Sequence, residues 1–530
     1  MEEPSALADY ARALAADSLG ASEAAADRYA AALSISPEST VVAAAAFRQA
    51  FAVGDKALAL RAARALDKTG KLGPDGRLLL FTDDVGRRDW KGAAARLDTL
   101  RDDPVFGNLA PLIEAWLVLG RGKGDPLAPI DAIRDNPMAG AYAAEHRPLL
   151  LLAAGRKKEG LAAIAAIEGE TGPLPPRFAI AAAAHLARKG DRKAALALLE
   201  GDAPARVAAR ARLQSGKSPG GAVGTAAHGI SELFLRFAAD ASAAEAPELA
   251  LTLARMATFL APESGPPWLV TAELLAARER HAPALAALGK IAPDDALAAD
   301  AADLRLRILN ESGREADAVA EARSLAEAQP RSVQSWARLG DLLSASGRHG
   351  EAAEAYGQAL SLATGGAASS HPEWALWLLK GSALTQAGKW PEGKAALDQA
   401  HTLAPEQAVV LNFLGYSQLE RRENLAEAER LIRAASKLQP DDAAITDSLG
   451  WALYVRGDLP QAIQLLERAA QSQPADTAIN EHLGDAYYSA GRRFEARYAW
   501  QAALLYAEGD AATRLAAKID TGLKPALAAP

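Results

Sequence analysis

The sequence predicts an all-α protein made of helix–turn–helix units stacked into a solenoid. Alanine, the best helix former, fills roughly a quarter of the 530 positions, whereas only 5% of the residues are aromatic. A chain of this length exceeds one compact core, so it needs several domains or a repeat array. A spacing of 34 residues that recurs along the chain favours the array.

The repeat is most regular in the C-terminal part. Each unit holds a Leu-Gly pair or a close variant, then a turn residue, an Ala, a bulky residue and a second Ala. The glycines of these pairs are Gly340, Gly381, Gly415, Gly450 and Gly484. The intervals 381–415 and 450–484 are both 34 residues. Small residues here allow two helices to approach closely, and a Pro such as Pro440 or Pro474 ends the second helix.

These residues resemble the tetratricopeptide repeat. The resemblance implies pairs of antiparallel helices that stack into a right-handed superhelix. Upstream the pattern is irregular but keeps its phase, since Gly20 and Gly54 are 34 residues apart, as are Gly313 and Gly347. We therefore expect helical repeats along the whole chain, with the regular ones near the C-terminal end.

The predicted organisation has six parts. They are degenerate repeats over 1–213, a flexible Gly/Ser/Pro loop over 214–226, further repeats over 227–330, the regular array over 331–508, a capping helix over 509–522 and a disordered tail over 523–530. A cap is expected because the last repeat of a solenoid otherwise leaves apolar surface in water.

Charge and hydropathy exclude two classes of partner. The 58 basic and 66 acidic residues are interspersed and give a net charge of −8, so no basic surface for nucleic acid or an anionic membrane is predicted. No apolar stretch approaches the roughly 20 residues that span a bilayer. The opening residues, MEEPSALADY, do not form a signal peptide. The sequence as written predicts a soluble protein, and a chain whose leader had been removed would look the same.

Short motifs that resemble catalytic sequences lack the neighbouring structure that such catalytic sites require. Gly216-Lys217-Ser218 resembles the end of a phosphate-binding loop, but no predicted strand precedes it and a Pro follows. The eight histidines are too far apart to converge on one helix, and the chain has no Cys, so no local zinc site is predicted. We expect a protein that is not an enzyme and uses no cofactor or metal.

The resemblance indicates candidate binding residues, because in this family the first helix of each repeat lines the concave surface. Positions −3, +1 and +4 from the Gly of the Leu-Gly pair share one helical face. In the last three repeats these positions hold Asn412, Tyr416, Asp447, Trp451, Tyr454, Glu481, Asp485 and Tyr488. An acidic and aromatic groove suits a basic or extended polypeptide. The alternative is that Tyr416 and Trp451 pack against the adjoining helix and meet no partner.

One subgroup is a closer match over about 405–523. The segments LNFLGY, DSLGW and EHLGD, followed by GRR, resemble long bacterial repeat proteins of the cell envelope. These include outer-membrane lipoprotein adaptors that hold a carboxyl-terminal processing protease and deliver its substrates. No acylated Cys is present in this sequence, so a membrane contact would need a leader or an anchor that it lacks.

Two hypotheses follow from this resemblance. The first is a non-catalytic scaffold that binds protein partners through its concave groove, in the periplasm or at the outer membrane if a leader was removed. The second is a cytoplasmic repeat protein that binds in the same way but has another partner, in regulation or assembly. Whether the N-terminal repeats bind a partner or pack on the C-terminal array is left open by the sequence.

Overall fold

The computed structural model describes residues 5–134, 136–366, 369 and 371–529. These residues form 30 α-helices and no strand, which confirms the all-α prediction. Within the described ranges, no helix combines the length and the apolar character needed to cross a membrane. The chain divides into two compact units, Met1–Arg314 and Glu315–Pro530.

The first unit holds eighteen α-helices and a short 3-10 turn, Phe106–Leu109, between α6 and α7. The helices are α1 (Ala6–Ser18), α2 (Ser22–Ile35), α3 (Thr40–Val53), α4 (Lys56–Lys68), α5 (Pro74–Gly86), α6 (Trp90–Asp98), α7 (Ala110–Arg121), α8 (Ala128–Asp131), α9 (Pro137–Ala153), α10 (Lys157–Thr171), α11 (Pro176–Arg188), α12 (Arg192–Leu198), α13 (Pro204–Gln214), α14 (Ala226–Ala243), α15 (Pro247–Leu260), α16 (Gly265–Ala276), α17 (His281–Leu288) and α18 (Ala298–Glu311).

A continuous apolar core runs through the first unit from Ala13 on α1 to Leu260 on α15. Helix α5 packs on α15, although the two are far apart in sequence. The buried guanidinium of Arg255 donates to the carbonyl of Ala52 over 2.9 Å, which joins α15 to α3. Helices α1 to α15, which belong to the predicted segments 1–213 and 227–330, therefore contribute to one core.

The Gly/Ser/Pro segment joins α13 and α14 as irregular chain, at the place where the loop is predicted. Val223 within it is buried, and the side chain of Arg212 donates to the carbonyl of Ser218 over 3.0 Å. The flexibility expected of this loop stays a prediction.

The second unit holds twelve helices. They are α19 (Glu315–Ala328), α20 (Val333–Ala345), α21 (His349–Thr364), α22 (Glu373–Gln386), α23 (Trp390–Leu403), α24 (Ala408–Glu420), α25 (Leu425–Leu438), α26 (Ala443–Val455), α27 (Leu459–Ser472), α28 (Thr477–Ser489), α29 (Arg493–Leu504) and α30 (Gly509–Thr521). Five hairpins, α20/α21 to α28/α29, are stacked in order, and each hairpin packs on the next. The boundary between the units falls before α19, which packs on α20, and not at the predicted 330/331.

The glycine of each Leu-Gly pair is where the two helices of a hairpin come closest. A Cβ atom at Gly340 would lie 2.6 Å from the ring of Tyr356, and one at Gly450 would lie 2.8 Å from Leu466. Both distances are shorter than any ordinary van der Waals contact. The close approach that the repeat pattern predicts is therefore present.

The end of the chain differs from the predicted disordered tail. After α30, residues 523–529 include a short 3-10 turn, Pro525–Leu527, and return to the second unit, where Ala529 is buried. Its methyl group packs with apolar side chains of α24 to α26, so burial of a small apolar residue offsets part of the entropy of ordering the segment. Pro530 lies outside the described residues.

Candidate protein-binding surface

The eight predicted groove residues lie on the first helices of the last three hairpins, as the register requires. Helix α24 carries Asn412 and Tyr416, and helices α26 and α28 carry the other six. Two of them, Tyr416 and Trp451, are brought together by His482, whose ring lies close to both of theirs. The accessibility of the eight residues, however, differs from the prediction.

An aromatic stack is centred on Trp451. The ring of Trp451 lies between those of Tyr454 and His482, with ring centroids 4.5 and 4.1 Å away and nearly parallel planes. Only 3% of Trp451 is exposed. The Trp451 ring is thus an internal contact between α26 and α28, which is the alternative that the sequence left open.

Asp447 and His482 form a buried ion pair beside the stack. Nδ1 of His482 lies 2.9 Å from Oδ2 of Asp447, and both side chains are almost inaccessible to solvent. Burial by itself lowers the pKa of His482, but the charge and hydrogen bond of Asp447 raise it above its usual value. The imidazole therefore favours its protonated form and joins α26 to α28 electrostatically.

The two remaining carboxylates are neutralised by helix α30. Nζ of Lys518 donates to Glu481 Oε1 over 2.7 Å and to both oxygens of Asp485 over 2.7 and 2.8 Å. Arg514 donates twice to Glu481, each time over 2.8 Å. Nε1 of Trp500 adds a further hydrogen bond to Asp485 at 2.9 Å. Glu481 and Asp485 are therefore buried and paired within the chain.

The segment after α30 also packs on this face. The backbone N–H of Ala529 donates to Oδ2 of Asp485 over 2.9 Å. Ala529 also packs in the cluster that contains Leu449 and Trp451. Gly522, at the end of α30, lies against the hydroxyl end of Tyr488. The face that the sequence predicts to be an open groove is occupied by the chain itself.

The predicted open groove needs correcting for four residues. Asp447, Trp451, Glu481 and Asp485 are buried, because α30 supplies the cations that the acidic row requires and because the rings stack on one another. Four residues keep partial exposure: Asn412, Tyr416, Tyr454 and Tyr488. Of these, Asn412 has a buried side-chain oxygen without a hydrogen-bond partner in the described chain.

Sequence reasoning missed the residues that close this face. The repeat pattern does not single out His482, Arg514 or Lys518. The signal was present, because Arg514 and Lys518 are four residues apart on a helix that follows an acidic row. A cation pair at this spacing indicates a helix face that can neutralise two carboxylates.

A second surface, on the outer face of α29, is open to solvent. Phe494 is 81% exposed and Tyr498, one helical turn later, is 72% exposed. Leu505 and Tyr506, directly after the helix, are also exposed. We call these four residues the α29 stripe. Large apolar side chains grouped in water are typical of a protein-binding surface.

Exposed guanidinium groups accompany the stripe. Arg493 lies over the ring of Tyr488 at 5.7 Å, and Arg497 is exposed between Phe494 and Tyr498 in sequence. Within the described part of the chain, no three His, Asp or Glu side chains are grouped as a metal ion would require. Beside the stripe, Arg493 and Arg497 are exposed, as is Glu495, which is paired with Arg492.

Family comparisons match the same hairpins. Two models described as tetratricopeptide repeat match this chain, one over residues 333–364 and the other over 414–477 and 448–513. These two parts of the chain are similar to tetratricopeptide repeats. The matched ranges begin within α24 and extend past α29, so the aromatic stack and the α29 stripe both lie in the matched part of the chain.

A curated relative shares part of this sequence. The TPR repeat-containing protein PA4667 of Pseudomonas aeruginosa is 49% identical over 55 residues, which are 10% of this chain. The alignment spans 9% of that relative's length. It supports the presence of tetratricopeptide repeats in both proteins.

Solved structures of low sequence identity resemble parts or all of the chain. Yeast Tom70 is 13% identical, with 99% of this chain and 98% of that chain covered and a TM-score of 0.39. YrrB, described as a TPR protein with an unusual peptide-binding site, is 17% identical over 35% of this chain and 91% of its own, with a TM-score of 0.27. MamA is 20% identical over 36% of this chain and 96% of its own, also with a TM-score of 0.27.

Proposed function

We propose that this protein is a non-catalytic scaffold that holds another protein against its last tetratricopeptide hairpin. The observation that carries the proposal is the exposure of Phe494 and Tyr498 on one face of α29. Two aromatic side chains left in water lose the free energy of burial unless a partner covers them. A solenoid offers such surfaces without a rigid pocket, which suits a polypeptide partner.

The shape and charge of the stripe define the kind of partner. From Phe494 to Leu505 the stripe extends ~16 Å along the helix, the length of about three turns of a facing helix. Arg493 and Arg497 add positive charge beside it. A partner helix with an apolar face and flanking carboxylates would complement both features.

We further propose that the partner is a carboxyl-terminal processing protease of the cell envelope, to which the scaffold delivers substrates. This proposal is supported by the resemblance of residues 405–523 to envelope adaptors of bacteria. It also places the mature protein in the periplasm or at the outer membrane, after removal of a leader. The second candidate is a cytoplasmic scaffold that uses the same stripe for a regulatory or assembly partner.

Binding of the purified full chain to the processing protease of the same organism tests the proposal. We expect the double variant Phe494→Ser/Tyr498→Ser to bind at least ~30-fold more weakly, because two aromatic anchors are lost. Leu438→Ser, which alters an exposed apolar side chain on α25, is the matched control and should bind as the unaltered chain does. Equal binding by the double variant would exclude the stripe.

A lack of protease binding by the unaltered chain would exclude the adaptor role. Localisation of the full-length gene product would then separate the two candidates, because a cytoplasmic protein cannot meet an envelope protease. Affinity purification of the unaltered chain and of the double variant from the native organism would show which partner depends on the stripe.

A further inference from the structure

We infer that residues 523–529 act as a resident peptide ligand on the face of the last hairpins that carries Trp451 and Asp485. This face receives an extended peptide of small apolar residues when the segment leaves. The inference rests on the proposed scaffold role and adds a second binding surface to it. The α29 stripe is open, whereas this second surface is covered by the chain's own segment.

The first argument is the way in which the segment is seated. Ala529 is 8% exposed and packs with Leu449 and Trp451, while its backbone N–H donates to Asp485. An apolar side-chain contact combined with a backbone hydrogen bond is how an extended peptide binds to a protein surface. Asp485 accepts a backbone N–H, which every residue of a peptide except Pro supplies.

The second argument is that few contacts hold the segment in place. Lys524, Pro525 and Ala526 are exposed. Leu523 is partly buried against the apolar cluster of α29 and α30, and Ala529 is the one buried residue among the described residues 523–529. Besides the bond to Asp485, the backbone bond of the segment is a local one, from Leu527 N to Lys524 O at 2.8 Å. A segment with so few buried contacts opens at a low free-energy cost compared with the helices beneath it.

The third argument is that the face keeps its binding chemistry when the segment leaves. Glu481 and Asp485 remain paired with Lys518, so departure of the segment exposes no unneutralised pair of carboxylates. The neutralisation of both carboxylates therefore does not depend on the segment.

The covered site also defines what it accepts. Ala529 occupies a position beside a tryptophan ring and a carboxylate, so a small apolar side chain fits and an acidic one is repelled. The fitting partner is an extended segment rich in Ala and Pro, like the LKPALAA of residues 523–529. Because the resident segment is tethered, it competes at a high effective concentration.

The test uses a fluorescent LKPALAA peptide with both ends capped, added to the purified full chain and to two variants. Ala529→Glu places a carboxylate against Asp485 and should release the segment. Ala526→Glu makes the same change at an exposed position and is the matched control. We expect fluorescence anisotropy to show at least tenfold tighter binding to Ala529→Glu than to the other two proteins.

Equal binding to all three proteins, or none to any, would overturn the inference. A chain that ends at Gly522 serves as a second variant and should bind the peptide as Ala529→Glu does. If circular dichroism shows that both variants lose their helices, the segment is an integral part of the fold and the inference is wrong. The Phe494→Ser/Tyr498→Ser variant should bind the peptide as the unaltered chain does. The peptide assay therefore tests the segment independently of the α29 stripe, and the scaffold proposal can fail without this inference failing.

Discussion

The ammonium group of Lys518 lies 2.7 Å from Oδ1 of Asp485, and neither side chain is accessible to solvent. This pair attaches α30 to the first helix of the last hairpin, with Glu481 as a second anion on the same lysine. Burial raises the pKa of Asp485 above its usual value although Lys518, Ala529 and Trp500 all donate to it. Helix α30 is thus held in place by buried ion pairs, in which each charge is stabilised by its partner.

Removal of the lysine charge should therefore destabilise the second unit. We expect Lys518→Met to lower the free energy of unfolding by about 3–5 kcal/mol, because Asp485 would remain buried without its cation. Lys524→Met, which changes an exposed lysine six positions after Lys518, should leave stability nearly unchanged. Chemical denaturation of both variants checks this, and equal midpoints would contradict the assignment.

Truncation of the central ring should have a structural effect. Trp451→Ala removes a ring that stacks on both Tyr454 and His482, so we expect a loss of about 3–5 kcal/mol in stability. If Trp451 lined an open groove, the substitution would instead weaken partner binding and leave the stability unchanged. Thermal unfolding that is unaltered by Trp451→Ala would restore the open-groove interpretation.

The close approach of paired helices predicts opposite effects for two glycines of one hairpin. Gly340→Ala would push a methyl group into the ring of Tyr356, and we expect it to destabilise the protein by about 1–3 kcal/mol. A Cβ atom at Gly350, in the facing helix, meets no atom within 4 Å. Gly350→Ala should therefore stabilise the helix by about 0.5–1 kcal/mol, and differential scanning calorimetry of the two variants measures both effects.

The His482–Asp447 pair predicts a pH dependence with a definite sign. Because folding raises the pKa of His482 above its unfolded value of about 6.5, its stabilising contribution is complete below pH 6.5. The contribution decreases as the pH rises through the folded pKa. The difference in unfolding free energy between the unaltered chain and His482→Gln should thus shrink with rising pH, and a difference that grows would contradict the charged pair.

Hairpin packing was predictable from sequence because it depends on short-range spacing. The glycine and the bulky residue that meet in a hairpin are 16 positions apart, as Gly340 and Tyr356 show, and the same register recurs at Gly484 and Trp500. Once this register is known, it also places the groove residues on one side of the first helices. This register accounts for the positions of the eight residues on α24, α26 and α28.

The docking of α30 and of the segment after it over those residues was not predictable from the repeat. Lys518 and Ala529 lie 33 and 44 positions after Asp485, in a part of the chain outside the 34-residue pattern. The repeat register does not specify how such a segment docks. An acidic row followed by Arg514 and Lys518 was the available signal, because buried carboxylates require nearby cations.

The α29 stripe shows a different limit of the repeat pattern. The pattern identifies Ala496, Trp500 and Ala503 as packing residues, and these are buried. It makes no statement about Phe494, which precedes them, or about Tyr498, which lies between Ala496 and Trp500. Aromatic residues at positions that the repeat does not use for packing are a sequence signal for an exposed contact surface.

Hydrogen–deuterium exchange of the full chain, with and without its purified protein partner, tests the central claim most directly. Amides of residues 493–506 should become protected when the partner binds, because the α29 stripe is then covered. Residues outside the last hairpin should change little. Protection confined to other helices, with α29 unchanged, would contradict the claim that this hairpin is the open contact surface.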